Sequence, residues 1–390
     1  MSRLDDLIAE LCPDGVEYMS LEELIDYEQP TKYIVNSTNY NDSFSVPVLT
    51  AGATFILGYT NEIEGVYSGS KTYPVIIFDD FTTSFHWVDF SFKVKSSAMK
   101  LLTAKNESLA ILRYLYFSMK CIFFEPSQHT RHWIQLYSKF RIPVPPLPIQ
   151  QEIVRILDKF TSLEAELEAE LEARKRQYVH YRDNLITSRD DLDLKTLGEI
   201  ATDMFRGSGI KRDQVTDEGT SCVRYGEIYT AYNICFDSCF SHTNANEIAS
   251  KKYFEYGDIL FAITGERVDE IAKSIVYMGH EKCLSGGDIV VMKHNENPKY
   301  LAYALSTTNA QIQKSKGKVK SKVVHSSVPA IKAIEIPVPS REEQDRIVAI
   351  LDRFDALVND ISQGLPAEIT ERRKQYEYYR NKLLTFKEKE

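Results

Sequence analysis

The chain has 390 residues, 43% of them hydrophobic, which is enough for two to three domains with real cores. Its formal net charge of −9 excludes a uniformly basic nucleic-acid coat, and its six cysteines (Cys12, Cys121, Cys222, Cys235, Cys239 and Cys283) lack the spacing of a disulfide framework. With no run of 18 apolar residues and no basic, apolar leader at MSRLDDLIAELCPDG, neither a membrane span nor a signal peptide is expected, and the expected location is cytoplasmic.

In chain order, the spacing predicts a short helix over Leu4–Leu11, stopped by Pro13, Asp14 and Gly15. Residues from about Ser20 to Arg141 read as mostly β. The apolar runs VPVLTAG, ATFILGYT, YPVIIFDDF and WVDFSFKVK are separated by Gly, Asn and Ser turns, with one helix near Glu107–Lys120. Ile142 to Thr187 then reads IPVPPLPIQQEIVRILDKF, an acidic Leu/Glu/Ala run, and RKRQYVHYRDNLIT. This predicts a helix after a proline-rich stop, with apolar residues three and four apart at Ile149, Ile153, Ile156, Phe160, Leu163 and Leu167, a seam for another helix. From Leu197 to Ala333 the alternation returns in SCVRYGEIYTAY, KKYFEYGDILFAIT, AKSIVYMG and GGDIVVMK, with a helix near Pro298–Gln313. Ile336 to Thr385 closes the chain with IPVPSREEQDRIVAILDRF, a spacer, and RRKQYEYYRNKLLT.

The last segment is a second copy of the first long helix. Phe160 answers Phe354 at an offset of 194 residues and Tyr178 answers Tyr376 at 198. LEEL at Leu21–Leu24 is answered by LGEI at Leu197–Ile200, so the repeat covers a whole domain plus a helix rather than a solenoid unit.

Charge is unevenly spread. Acid gathers in SLEAELEAELEA, whereas Gln311 to His325 reads QIQKSKGKVKSKVVH, and alternate lysines on an extended segment share one side. A solvated loop or a protected edge strand accounts for that run equally well. Several apparent sites carry no chemistry. Asn297-Pro298-Lys299-Tyr300 nears an amino-methyltransferase motif but reads better as a helix start with Pro in its first turn. Asp79 and Asp80 read as strand-end turn residues, and Arg206-Gly-Ser-Gly-Ile-Lys211 lacks the ending of a phosphate loop. Cys235, Cys239 and His242 lack a fourth partner for zinc, so buried or half-buried thiols are expected. No metal site and no catalytic residue is assigned to this chain.

Two β-rich domains, each followed by IPVP, an ILD-(K/R)-F helix start and a terminal (R/K)-(R/K)-x-Q-Y-x-x-Y-R segment, resemble the specificity subunit of type I restriction–modification systems. The resemblance covers nearly the whole chain. It implies an α+β fold of two β-rich target-recognition domains with a helix each, separated by two long helices forming an antiparallel coiled coil, as a pseudo-twofold tandem repeat. The divisions expected are an N-terminal helical segment at 1–19, recognition domains at 20–141 and 188–335, and helices at 142–187 and 336–390. Gly364-Leu365-Pro366 departs from the pattern, because it breaks the second helix where the first reads LEAELEAELEA. The resemblance also implies double-stranded DNA with a bipartite site as partner, two modification (methyltransferase) subunits and two ATP-dependent restriction subunits. S-adenosylmethionine, ATP and Mg2+ belong on those partner subunits, with no cofactor on this chain.

Base-edge and phosphate contacts call for Arg, Lys, Asn, Gln and similar polar donors on exposed loops. The candidates are Lys71, Gln128, His129 and Arg131, beside Trp133, in the first domain. In the second they are Arg206, Lys211, Arg212, Lys314, Lys316, Lys318, Lys320 and Lys322. Trp87, Trp133 and Tyr225 read as core aromatics. The seam is expected at Ile153, Ile156, Phe160, Leu163, Leu167, Leu171, Ile347, Leu351, Phe354 and Ile361. Two other readings stay open at this point. A self-contained DNA methyltransferase or nuclease would turn over DNA by itself, and a coiled-coil protein scaffold would bind partners without any DNA sequence preference.

Overall fold

The computed structural model describes residues 3–52, 54–126, 130–188, 193–318, 323–360 and 364–390. The chain divides into two units, residues 1–167 with 369–390, and residues 168–368.

In the first unit, helix α1 (Arg3–Leu11) leads into strand β1 (Glu17–Ser20) and the single turn α2 (Leu21–Leu24). The Glu23 carboxylate accepts from both the Ser20 amide and hydroxyl, the capping arrangement that starts a helix. Strands β2 (Ile25–Glu28), β3 (Val46–Leu49), β4 (Ile56–Thr60), β5 (Val75–Asp79), β6 (Phe85–Val88), β7 (Lys93–Val94) and β8 (Met99–Ala104) follow. They form one antiparallel sheet in the order β2-β8-β5-β6 and a smaller one, β4-β3-β7, in which β3 and β7 run parallel. β5 is apolar and buried from Val75 to Phe78 because both its faces are covered there. Val75 and Ile77 pack with Leu49 and Val94 of the small sheet and with Phe92 beside it, whereas Ile76 and Phe78 pack with Leu112, Leu115 and Trp133 on the helical side.

Helix α3 begins at Leu112 and ends at Met119, later than the expected Glu107, because Asn106 and Glu107 form the turn before it. The Asn106 side chain accepts from Ser108 N and the Glu107 carboxylate from Leu112 N. Strand β9 (Arg141–Val144) pairs antiparallel with β1, so Ile142–Val144 is extended and the long helix α4 runs from Leu147 to Thr187, 41 residues.

The second unit repeats this plan. Strand β10 (Leu194–Thr196) and turn α5 (Leu197–Ile200) carry the same cap, with Glu199 accepting from the Thr196 amide and hydroxyl. Strands β11 (Ala201–Arg206), β12 (Val215–Thr216) and β13 (Thr220–Val223) precede a short helix α6 (Tyr225–Thr230). Then come β14 (Cys235–Phe236), β15 (Ser241–Thr243), β16 (Tyr253–Phe254), β17 (Ile259–Ala262), β18 (Thr264–Gly265), β19 (Ser274–Tyr277), β20 (Cys283–Ser285) and β21 (Ile289–His294). The sheets are β11-β21-β17-β19-β14 and β12-β15-β13-β20-β16, with β13 and β20 parallel as β3 and β7 are.

Instead of one helix near Pro298–Gln313 there are two, α7 (Pro298–Leu305) and α8 (Thr308–Ser315), since the Thr307 hydroxyl caps a new start by accepting from Ala310 N. Asn297 caps α7, with Pro298 in its first turn. Strand β22 (Val324–His325) pairs with β18, and a single turn α9 (Val328–Lys332) leads to strand β23 (Glu335–Pro337), which pairs with β10. The second long helical copy is likewise two helices among the described residues, α10 (Arg341–Asn359) and α11 (Gly364–Leu383).

Within the first unit, α4 runs antiparallel to the C-terminal half of α11. Phe160 stacks on Tyr379 with ring centroids 5.6 Å apart, and Glu164 meets Arg373 at 2.6 Å. The second unit holds the repeat-related pair, Phe354 on Tyr181 at 5.5 Å, with Ile186, Ile347 and Leu351 in one core. Of the expected seam, Ile153, Ile347 and Leu351 are buried, Ile156, Phe160, Leu167, Leu171 and Phe354 are half-buried, and Ile361 lies outside the described residues. Leu163 is a correction, being 38% exposed. The most buried row of α4 runs instead through Ile149, Ile153 and Leu157, because that row faces Tyr114, Phe117 and α1 as well as Leu384.

Each domain grips its following helix through the same bonds. Tyr114 OH donates to Pro143 O (2.8 Å), and Tyr300 OH to Pro337 O (2.9 Å). Gln150 accepts from Ile111 N and donates to Pro145 O, and Gln344 accepts from Asn297 N and donates to Pro339 O. Tyr114→Phe and Tyr300→Phe should each destabilise the chain by about 1–2 kcal/mol, the cost of a buried carbonyl left without its donor. Urea denaturation of the full chain, with a spectroscopic reporter in each unit, measures this; an unshifted transition would show that the hydroxyl does not hold the junction.

Candidate nucleic-acid interface

Both units return from their last domain helix through a loop whose end is tied to the end of the central strand. In the first unit His132 N donates to Asp80 O (2.8 Å) and Trp133 N to Asp80 Oδ1 (2.9 Å). Asp80 is itself buried and paired with buried Lys100 at 3.3 Å. In the second unit Ser326 N donates to Ile263 O (2.8 Å), and Thr264 Oγ1 bonds His325 Nδ1 (3.2 Å). The loops before these anchors carry most of the expected DNA contacts. Gln128, His129, Lys320 and Lys322 lie outside the described residues, Arg131 and Lys316 are exposed, and Lys318 is half-exposed.

Trp133 is buried, as a core aromatic should be. Lys71 is exposed on a recess of about 610 Å³ with Tyr67, Tyr73, Trp87 and Arg113. Arg113 is not free there, since its guanidinium lies 4.6 Å over the Trp87 ring and pairs with Asp158 at 2.7 Å.

The second unit shows a more defined surface around α6. Ile228 is fully buried and Tyr229 OH donates to Ala262 O, pinning the underside of the helix, while Tyr225, 39% exposed, and Thr230 face out. Tyr225 is therefore not a core residue, contrary to its reading from the sequence. One cleft of about 530 Å³ runs along α6, bordered by Gly209, Arg212, Arg224, Gly286 and Gly287. Another of about 360 Å³ lies on the opposite side, bordered by Thr264, Arg267, Glu270 and Val323, the last at the edge of the lysine loop. Tyr225, Gly226 and Thr230 line both clefts, so α6 is the ridge between them.

The cations of this surface differ in freedom. Arg206 pairs with Asp288 at 2.6 Å and donates to Gly287 O, Arg224 pairs with Glu227, and Arg267 with Asp269 and Glu270. Lys211 and Arg212 are exposed and carry no ion pair among the described residues. Arg224 and Arg267 went unnoticed in the sequence, because only the fold brings positions 212, 224 and 267 to one helix.

Lys314 is a correction. The segment expected to be extended is helical to Ser315, which turns Lys314 inward, and its ammonium donates to Leu305 O (2.7 Å) and Ser274 Oγ (3.0 Å). The Leu305 carbonyl is one that the end of α7 leaves without a helical partner. Full burial, with the nearby Arg182 charge adding, pushes its pKa down to about 7.

Cys235 and Cys239 pack against different cores, and burial pushes the Cys235 thiol up to about 12. No group of three His, Cys, Asp or Glu side chains among the described residues is placed to hold a metal ion. No helix among them is long and apolar enough to cross a membrane.

The comparisons with known proteins agree with this duplicated plan. The family of type I restriction modification DNA specificity domains matches residues 13–173 and again 190–371. The specificity subunit of the EcoR124I/EcoR124II type I restriction enzyme of Escherichia coli is 39% identical over 410 residues, covering 99% of this chain and 97% of that protein. A putative type I restriction enzyme specificity subunit of Haemophilus influenzae is 31% identical over 257 residues, 63% of each chain. Among solved structures, a chain of a type I R-M system matches with a TM-score of 0.61 at 16% identity, over 96% of this chain and 98% of that one, a likeness of fold.

The Lys314 environment makes a pH dependence. The unfolded chain keeps this lysine protonated up to its ordinary 10.5, while the folded chain releases the proton from about 7, so the fold gains on the unfolded state as pH rises between those values. Lys314→Met removes that gain. The melting temperature of the parent relative to the variant should therefore climb across this range, and a pH-independent difference would show that Lys314 stays charged in the fold.

Proposed function

Because the chain belongs to the family of type I restriction modification DNA specificity domains, we propose that its two units each read one half of a bipartite DNA site while it assembles with the catalytic subunits of such an enzyme. The observation that carries this reading is the duplication: the family matches twice, and the 39% identical relative is a specificity subunit over essentially its whole length. The chain itself is the non-catalytic member. Its surface offers DNA two unlike faces on one repeated scaffold, and unlike faces are what a site with two different halves requires.

In this reading Lys211 and Arg212 meet phosphates beside the α6 cleft, and the loops bearing Arg131 and Lys316–Lys322 add charge-assisted contacts. Lys71 borders the recess of the first unit in the same role. Two modification subunits carry S-adenosylmethionine, two restriction subunits carry ATP and Mg2+, and the assembly works in the cytoplasm. Exchange of residues 20–141 for the same segment of another specificity subunit tests the reading. Methylation mapping should then show one half-site changed and the other kept; a change in both would mean that the units do not read independently.

The long helix carries a second expectation. Between Leu157 and Tyr178 no residue of α4 is buried, so the LEAE repeat at Leu163–Glu166 and Leu167–Glu170 spans a stretch with little packing to lose. Removing Leu167–Glu170 shortens the helix by about 6 Å and turns its ends by roughly 40°. One base-pair step turns DNA by about 34 to 36°, so the deletion should keep both half-sites and shorten the spacer between them, by one base pair ahead of two. Deletion of only Leu167, Glu168 and Ala169 should rotate the seam and impair assembly. Site mapping of an active four-residue deletion that retained the parental spacer would show that this helix does not set the distance.

A further inference from the structure

A fold needs glycine where φ is positive or where a neighbour leaves no room for a Cβ. Gly15, Gly65 and Gly257 meet the first condition, and Gly69, Gly207 and Gly279 meet the second, with an atom within 2.4 Å of where the Cβ would stand. Gly52, Gly209 and Gly226 meet neither. Their φ values are ordinary for any residue; among the described residues the nearest atom to a Cβ on Gly52 is Thr50 Oγ1 at 3.7 Å, and none lies within 4 Å of one on Gly209 or Gly226.

Two of these three glycines occupy the same place in the two units. Lys95 N donates to Leu49 O (3.0 Å) and Gly286 N to Val223 O (2.8 Å), each across the parallel strand pair of its unit, so Leu49 answers Val223. Three residues onward, Gly52 answers Gly226. Gly209 borders the same cleft as Gly226. Around the paired glycines the units differ: Gly226 sits in a helix between Tyr225 and Glu227, whereas Gly52 follows Thr50 and Ala51 and its carbonyl bonds His86 Nε2 at 3.1 Å.

Gly226 weakens the helix that carries it, as alanine is the better helix former, and no steric need among the described residues accounts for it. What remains is close approach of something outside the fold. Both glycines lie three residues past the end of a strand with a parallel neighbour, and Gly226 crowns a ridge flanked by two clefts, one bordered by Arg212, which has no ion pair among the described residues, and by Arg224, paired with Glu227, the other by Arg267, paired with Asp269 and Glu270. A ridge with arginine-bearing clefts on both sides has the form of an element inserted into a DNA groove, the reading edge against the bases and the flanks toward the two backbones.

We propose that the main chain at Gly52 and at Gly226 is the point of closest approach to DNA in each unit, and that the residues beside them, Thr50 in the first and Tyr225 and Thr230 in the second, determine the bases accepted at the two half-sites. This rests on the specificity reading above. Any side chain at either glycine would stand in the space the duplex fills, although the fold itself would accept it.

The test uses the full chain assembled with its methyltransferase subunits, carrying Gly52→Ala, Gly52→Trp, Gly226→Ala or Gly226→Trp. Calorimetry gives the melting temperature, and anisotropy titration gives affinity for the mapped duplex and for duplexes with one half-site scrambled. The alanine variants should melt at or above the parental temperature and bind about tenfold more weakly, and the tryptophan variants about a hundredfold, the scale of one or two lost base contacts. Discrimination should fall at the first half-site for Gly52 variants and at the second for Gly226 variants. Unchanged binding by all four beside a discriminating parent would overturn the assignment while leaving the specificity reading in place. A lower melting temperature for Gly226→Ala would also overturn it, by showing that the fold requires the glycine. A parental assembly that prefers no duplex sequence would remove the specificity reading and this inference with it.

Discussion

The structure depends on how a proline-rich stop is held. Prolines contribute no N–H, so each IPVP before a long helix can donate only from its Ile and Val, and side chains take up its proline carbonyls. A tyrosine from a domain helix, α3 in the first unit and α7 in the second, reaches one of them, and a glutamine from the first turn of the long helix reaches another while accepting from the backbone at the start of the domain helix. The junction between domain helix and long helix is thereby held by hydrogen bonds as well as by apolar packing, through equivalent bonds in both repeats.

Around that shared junction the two units diverge in charge. Asp158 is met by Arg113, whose guanidinium also covers the Trp87 ring, whereas the repeat-related Asp352 is met by Lys299 and by the Tyr303 hydroxyl. The same helix position is anchored in both, with different partners. Divergence is larger on the surfaces proposed to meet DNA, where Thr50, Ala51 and Gly52, outside any helix, stand in the place of the start of helix α6. A repeated frame with unlike faces suits a protein whose partner is a site with two unlike halves.

Buried charge shows why net charge and charge runs are weak guides to such a protein. Lys93 is buried against Glu62 at 3.0 Å and Lys100 against Asp80, so neither adds to the outer field. Such pairs return little net stability but tie specific loops to specific strands, since breaking one leaves an unpaired buried charge. Lys314 lacks even a carboxylate and is held by a carbonyl and a hydroxyl. The lysine-rich stretch is thus part core and part surface.

The repeat, the two β-rich domains and the long helix were determined by the sequence itself, because hydrophobic periodicity and proline stops are local and occur twice at matching offsets. Membership of the family was legible for the same reason. What only the tertiary structure decided was which side of each element faces inward and what stands beside it. A three-four stripe fits more than one helix face, so Leu163 was placed on the seam although the tightest row runs through Leu157. Lysine spacing cannot distinguish an extended segment from the last turn of α8, which is why Lys314 was placed outside. Arg212, Arg224 and Arg267 are separated by 12 and 43 residues, and only the pairing of β13 with β20 and the packing of α6 on β17 bring them to one ridge. Gly52 and Gly226 stand out only once the space around them is known, since steric need is a property of neighbours and not of the chain.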